Sequence, residues 1–173
     1  MAATGAKVAA AERVARAYLG LGANLGQPAE QLESAMLEIA ALPGTRLIAR
    51  STLYRSHPVG PPGQPDYCNA VCCIETDLTP LALLDALQAI EDAAGRQRDT
   101  IRWTARVLDL DILHIEGQII ETPRLKLPHP QLTRRNWVLV PLVEIAPTLD
   151  ISGVGLVAEL AGELGNAGLR QWP

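Results

Sequence analysis

The sequence predicts a mixed α+β sandwich, and three observations carry that reading. Apolar or alternating runs such as "RAYLGLG" and "VLDLDILHI" read as strands. Two longer stretches, "QPAEQLESAMLEIAAL" and "LTPLALLDALQAIEDAAG", repeat their apolar residues at helical spacing. Helices alternate with strands, yet the second half contains a turn that folds one strand back on the next, which favours a mostly antiparallel sheet over a doubly wound parallel one. At 173 residues the chain suits a single domain with a sizeable core. Residues 1–15 read as a loose tail and residues 16–173 as that domain.

Taken in order, residues 16–22 form a short apolar run ending in glycine, a candidate central strand. Pro28 suits the first turn of the helix that follows, Leu32, Ala35, Met36 and Ile39 mark its buried stripe, and Pro43-Gly44 stops it. Residues 45–56, "TRLIARSTLYRS", read as one strand. Residues 57–66, "HPVGPPGQPD", hold four prolines and two glycines, which remove donors and fix the backbone. The expectation there is a stiffened surface loop of the kind that often carries function. Tyr67 to Thr76 read as a buried strand. Thr79 caps the next helix, Pro80 occupies its first position and Gly95 closes it.

An arginine-rich loop, 96–106, leads into the strand "VLDLDILHI". Glu116-Gly117 is expected to turn that strand into a hairpin with "QIIE". A proline-punctuated connection, a helix or pair of short helices over 132–147, and a last short helix near 155–164 complete the chain.

With 48% hydrophobic and 20% charged residues the composition is that of a soluble globular protein rather than a disordered one. No apolar run reaches membrane-spanning length. The first sixteen residues keep Lys7, Glu12, Arg13 and Arg16, so they lack the apolar centre of a signal peptide. Cys68, Cys72 and Cys73 form neither a disulfide framework nor a Cys-x-x-Cys pair, and buried free thiols in a reducing cytoplasm are expected. A net charge of −4 argues against a general nucleic-acid binder. Eight of the fifteen basic residues nevertheless fall between positions 96 and 135, a concentration suited to a small anionic ligand.

The glycines of "GLGANLG" (20–26) miss the dinucleotide fingerprint, because Leu25 stands where its third glycine belongs. The stretch reads as a tight strand-to-helix turn. In "RWTARVLDLDIL", Asp109 and Asp111 project to one face of a strand while Leu108, Leu110 and Ile112 project to the other. Two carboxylates about 7 Å apart at Cα repel one another unless water screens them or a cation lies between them. Such a pair alone fits a solvated outer face equally well. The arginines beside it add a second possibility: Mg²⁺ takes one or two protein carboxylates and completes its shell with water and phosphate oxygens, and guanidinium groups hold the remaining phosphate oxygens. Tyr67 and Asn69, two apart on a strand, bring a ring and an amide to one face, which suits a flat heterocycle or ordinary core. His129 lies between prolines and close to Arg134 and Arg135. A lone histidine is more often a surface or packing residue than a catalytic one, and His57 and His114 are read that way.

With "YRSHPVGPPGQPDYCNA" and "LPHPQLTRRNWVLVPLVEIAP" set beside those two motifs, four ordered blocks from about Ala17 to Leu149 resemble the 6-hydroxymethyl-7,8-dihydropterin pyrophosphokinase family. Thr104 and Ala105 depart from the small residue and proline usual in that family's loop, and Asp99 stands where some members have lysine. The resemblance implies a ferredoxin-like α/β sandwich, a mostly antiparallel central sheet with helices on its faces. It implies transfer of pyrophosphate from MgATP to the pterin hydroxymethyl group with release of AMP, by a monomer that uses two Mg²⁺ ions. By the same resemblance Asp109 and Asp111 hold the metal ions, and Arg96, Arg98 and Arg106 close over the triphosphate. Gln88, Glu91, Ile112, Arg124, Lys126, His129 and Arg135 contact ATP. Tyr67 and Trp137 bracket the pterin, Asn69 and the backbone of Ser56, His57 and Val59 read its edge, and Trp103 packs over the site. A metal-dependent phosphohydrolase and a ferredoxin-like nucleotide-binding regulatory domain are the alternative readings.

Overall fold

A computed structural model of the protein describes residues 13–95 and 105–173. Strand β1 (Ala15–Ala23) opens one residue inside the stretch expected to be tail and is the spine of the sheet. Helix α1 (Pro28–Ala40) follows, then β2 (Thr45–Arg50), β3 (Tyr54–Ser56), β4 (Tyr67–Thr76), α2 (Pro80–Ala93) and β5 (Asp109–Ile115). This β-α-β-β-β-α-β order places β1 between β4 and β5, with β2 and β3 sharing the far edge of β4 and every pairing antiparallel.

The helices begin and end as the sequence predicts. Pro28 and Pro80 sit in the first turns, where a missing N–H costs nothing, and Thr79 Oγ1 accepts a hydrogen bond from Ala82 N at 3.2 Å. Gly44 turns the chain at φ +59, with Asp77 so close that a β-carbon there would overlap its carboxylate. Leu32, Met36 and Ile39 of α1 and Leu83 and Leu87 of α2 pack against one face of the sheet, on Leu19, Leu21, Ile74, Leu110 and Ile112.

Beyond β5 lie the short hairpin β6 (Ile120–Glu121) with β7 (Lys126–Leu127), a 3₁₀ turn at Leu132–Arg134, α3 (Asn136–Ile145), the hairpin β8 (Asp150–Ile151) with β9 (Gly155–Leu156), α4 (Val157–Leu164) and the C-terminal strand β10 (Arg170–Gln171), which pairs with β3. Val138, Leu139, Leu142 and Val157 from α3 and α4 cover the second face of the sheet, on Tyr18, Val71, Cys73 and Leu113. Helices therefore lie on both faces.

Two expectations need correcting. Residues 45–56 are not one strand: at Thr52 the main-chain N–H and the hydroxyl turn away to the Glu144 carboxylate on α3, at 2.8 and 3.1 Å, and the strand breaks there. The Glu116-Gly117 turn forms, with Gly117 at φ +74, but the strand after it pairs with β7 rather than back on β5. One edge of β5 is taken by β1, and the Leu113 carbonyl accepts from His129 N–H at 2.8 Å.

Candidate active site

β1 carries glycine at two positions on the face that turns away from α1 and α2. Gly22 pairs with Asn69 of β4 on one side and with Asp109 of β5 on the other; Gly20 pairs with Val71 and Asp111. Side chains in register share a face, so two bare positions on the middle strand leave a trough between the side chains of its neighbours. A β-carbon on Gly22 would lie 3.6 Å from Asn69 Oδ1 and 3.7 Å from the Tyr67 ring. The trough is the floor of a cavity of about 320 Å³.

One wall of the cavity is made by the proline loop and the start of β4. Ser56, His57 and Val59 line it together with Tyr67 and Asn69. Asn69 is 5% exposed and donates Nδ2–H to Ser56 Oγ at 2.8 Å, which fixes the orientation of its amide. His57 Nδ1 lies 3.0 Å from Asp66 Oδ1 and so joins the two ends of the loop. Trp137, at the start of α3, lines the cavity as well.

The opposite wall is ionic. Asp109 and Asp111 face the cavity while Leu110 and Ile112 are buried under α2, the alternation that a strand imposes. Arg106 Nη1 donates to Asp109 Oδ1 at 2.9 Å, and Arg135 Nη1 stands 3.7 Å from Asp111 Oδ2. Burial first, and then the charge of Asp109, push the Asp111 carboxyl up to about 7, with Arg135 and Arg106 pulling against them. Ionised Asp111 is therefore disfavoured here despite the two arginines, and a cation bound between the carboxylates would favour its charged form.

Among the described residues no group of three or more His, Cys, Asp or Glu side chains is gathered as a metal cage. The donor set fits a hard ion such as Mg²⁺ that takes one or two carboxylates here and draws its remaining oxygens from phosphate and water.

His129 is placed by its main chain, through the bond to Leu113, and by buried Leu127 and Leu132 around it. Its Nδ1 accepts from Gln131 N–H at 3.1 Å, so the proton of the neutral ring sits on Nε2, 3.9 Å from Asp111 Oδ2. Burial, then the Arg135 charge, push the imidazole down to about 4. It is a neutral hydrogen-bond donor near pH 7. The three thiols are excluded as nucleophiles: burial pushes Cys68 and Cys72 up to about 12 and Cys73 up to about 11.

Of the residues named from the sequence, Ser56, His57, Val59, Tyr67, Asn69, Arg106, Asp109, Asp111, His129, Arg135 and Trp137 converge on this one cavity. The remaining described ones do not line it. Ile112 is core, because one residue along a strand reverses the face. Glu91, 2% exposed, accepts from Leu110 N–H at 2.8 Å and so ties α2 to the strand that bears the aspartates. Gln88 lies on the same helix, Arg124 pairs with Asp85, and Lys126 pairs with Glu121 at 3.0 Å. Arg96, Arg98 and Trp103 lie outside the described residues.

Sequence reasoning missed the glycine floor and Gln131. The signal for the first was present: Gly20 and Gly22 are two apart, the same strand spacing that grouped the aspartates.

Such a site suits one class of α+β enzyme first, one that brings a phosphate-bearing substrate to a flat polar one. Residues 18–147 match the family described as 7,8-dihydro-6-hydroxymethylpterin-pyrophosphokinase (HPPK), and the chain belongs to that family. The 2-amino-4-hydroxy-6-hydroxymethyldihydropteridine pyrophosphokinase of Pseudomonas aeruginosa is 45% identical over 160 residues, covering 92% of this chain and 98% of that one. Its counterpart from Haemophilus influenzae is 49% identical over 144 residues, 83% and 89% of the two chains. Among solved structures, wild-type Plasmodium falciparum HPPK-DHPS superposes with a TM-score of 0.69 at 14% identity, over 92% of this chain. That likeness concerns the ferredoxin-like fold, and this chain spans about half of that protein, 48% of its length.

Proposed function

We propose that this protein transfers pyrophosphate from ATP to the hydroxymethyl group of 6-hydroxymethyl-7,8-dihydropterin, in folate biosynthesis, and releases AMP. The observation that carries this reading is the cavity itself: a ring and an oriented amide on one wall, paired aspartates between two arginines on the other, and glycines between them. The hydroxymethyl oxygen attacks the β-phosphorus and loses its proton; the bond from that phosphorus to the oxygen bridging it to the α-phosphorus breaks, and AMP leaves with that oxygen.

The pterin ring lies between Tyr67 and Trp137, and Asn69 with the backbone of Ser56, His57 and Val59 reads its edge. Arg106 and Arg135 meet phosphate oxygens, and neutral His129 donates its Nε2–H to another. Asp109 and Asp111 would hold two Mg²⁺ ions, which would supply charge neutralisation of the triphosphate. The further ATP contacts assigned to Gln88, Glu91, Arg124 and Lys126 fall outside the cavity, and Ile112 would serve through its main chain alone. Arg96, Arg98 and Trp103, outside the described residues, complete the assignment. Positioning and charge stabilisation suffice for this kind of transfer. One domain, residues 16–173 together with Ala15, acts as a monomer in the cytoplasm. No helix among the described residues is long and apolar enough to cross a membrane.

Product analysis tests the proposal. Purified protein with MgATP and the pterin alcohol is expected to yield AMP and pterin diphosphate in equal amounts. ADP or free phosphate as the product would point instead to a phosphohydrolase or a conventional kinase.

A further inference from the structure

Asn24 is the one polar residue of the "GLGANLG" turn; it is 1% exposed and sits immediately after β1. Its side-chain oxygen accepts from Arg106 N–H at 2.8 Å, and its own main-chain N–H donates to the Arg106 carbonyl at 3.0 Å. Its Nδ2 donates to the Pro65 carbonyl at 3.0 Å and reaches Gln64 Oε1 at 3.4 Å. One amide thus grips two segments that are far apart in the sequence. Each leads directly into one wall of the cavity: Pro65 is two residues before Tyr67, and Arg106 itself reaches Asp109.

We propose that Asn24 is a positioning residue that fixes the distance between the two walls, and so the separation of pterin and triphosphate. The requirement is chemical. Both principal partners are main-chain groups, one a donor and one a carbonyl, so the side chain must present an acceptor and a donor from one fork. Among side chains of this length only an amide does both. Aspartate keeps the acceptor and loses the donor; alanine loses both. An effect transmitted through the walls reaches turnover as well as substrate binding, because phosphoryl-type transfer depends on placement to within about an ångström.

The kinetic part of this inference rests on the pyrophosphokinase reading; the tie between the segments does not. Asn24→Asp leaves the bond to Arg106 N–H in place and sets an oxygen against the Pro65 carbonyl, so KM for the pterin is expected to rise about tenfold while KM for ATP stays within about twofold. Asn24→Ala cuts both ties. Its pterin KM rises at least as far, kcat falls as well, and hydrogen exchange at the Arg106 amide accelerates by about tenfold in protein without ligand. A residue that merely supported the fold would lower Tm in both variants without splitting the two KM values. The inference is overturned if both variants keep the parent's pterin KM, or if Arg106 exchange is unchanged in Asn24→Ala. Should the parent make no pterin diphosphate, the functional reading falls, and the exchange measurement still decides whether Asn24 holds the walls.

Discussion

Replacing Asp111 by Asn removes the charge that burial and Asp109 disfavour, and the size of the gain follows from the site. Moving a carboxyl from the ordinary 3.8 to about 7 corresponds to roughly 4 kcal/mol, at ~1.36 kcal/mol for each pH unit. A third of the side chain is open to solvent, 33%, so screening leaves about 1–2 kcal/mol. The sign is fixed by linkage. A carboxyl whose folded value is raised costs nothing below about 4, where both states bind the proton. The cost grows as pH rises from 4 to 7, because only the unfolded state then ionises, and it is complete above 7.

Thermal unfolding without Mg²⁺ or nucleotide is therefore expected to show Asp111→Asn ahead of the parent by about 3–6 °C at pH 8, with the gap closing towards pH 4. The same variant should lose pyrophosphoryl transfer. A variant that is less stable than the parent at pH 8 would refute the view that burial and Asp109 disfavour the charge on this carboxylate.

Gly22→Ala should leave Tm within about 2 °C of the parent, since a β-carbon there meets its neighbours at ordinary contact distance, yet narrow the trough and raise pterin KM by about threefold or more, as read from initial rates. Nitrogen-15 NMR of His129 should show unprotonated Nδ1 and protonated Nε2 from pH 8 down to about 5; a ring that titrates near 6.5 would contradict its burial beside Arg135. Linkage adds that this depressed value removes stability as pH falls from 6.5 towards 4, since the unfolded histidine takes the proton first. Leu87→Ala, at a fully buried position of α2, should cost about 2–5 kcal/mol in denaturant unfolding without shifting either KM in a correctly folded fraction.

Much of this fold is written locally. Proline at the first turn, a threonine cap and apolar residues at helical spacing defined α1 and α2, because each signal acts within a few residues. The break at Thr52 was not legible, since its cause is Glu144, ninety-two positions away. The pairing of β6 with β7 was hidden for a similar reason: the Leu113 carbonyl of β5 is taken by His129 N–H, sixteen positions away.

In the site, strand alternation correctly placed Asp109 with Asp111 and Tyr67 with Asn69. The same alternation separates the Ile112 side chain from the cavity. The role of Gly20 and Gly22 depends on register with two other strands, and register is a tertiary fact. Asn24 escaped notice because its partners are main-chain atoms, whose identity no side chain announces.

The central claim is that pterin and triphosphate meet over the two glycines of β1. Amide chemical-shift mapping with Mg²⁺, a nonhydrolysable ATP analogue and the pterin alcohol tests it most directly. The account predicts that the largest shifts fall on Gly20, Gly22, Asn69, Asp109 and Asp111. Shifts gathered around the separate groove at His114, Gln118 and Ser152, with those five amides unmoved, would contradict it.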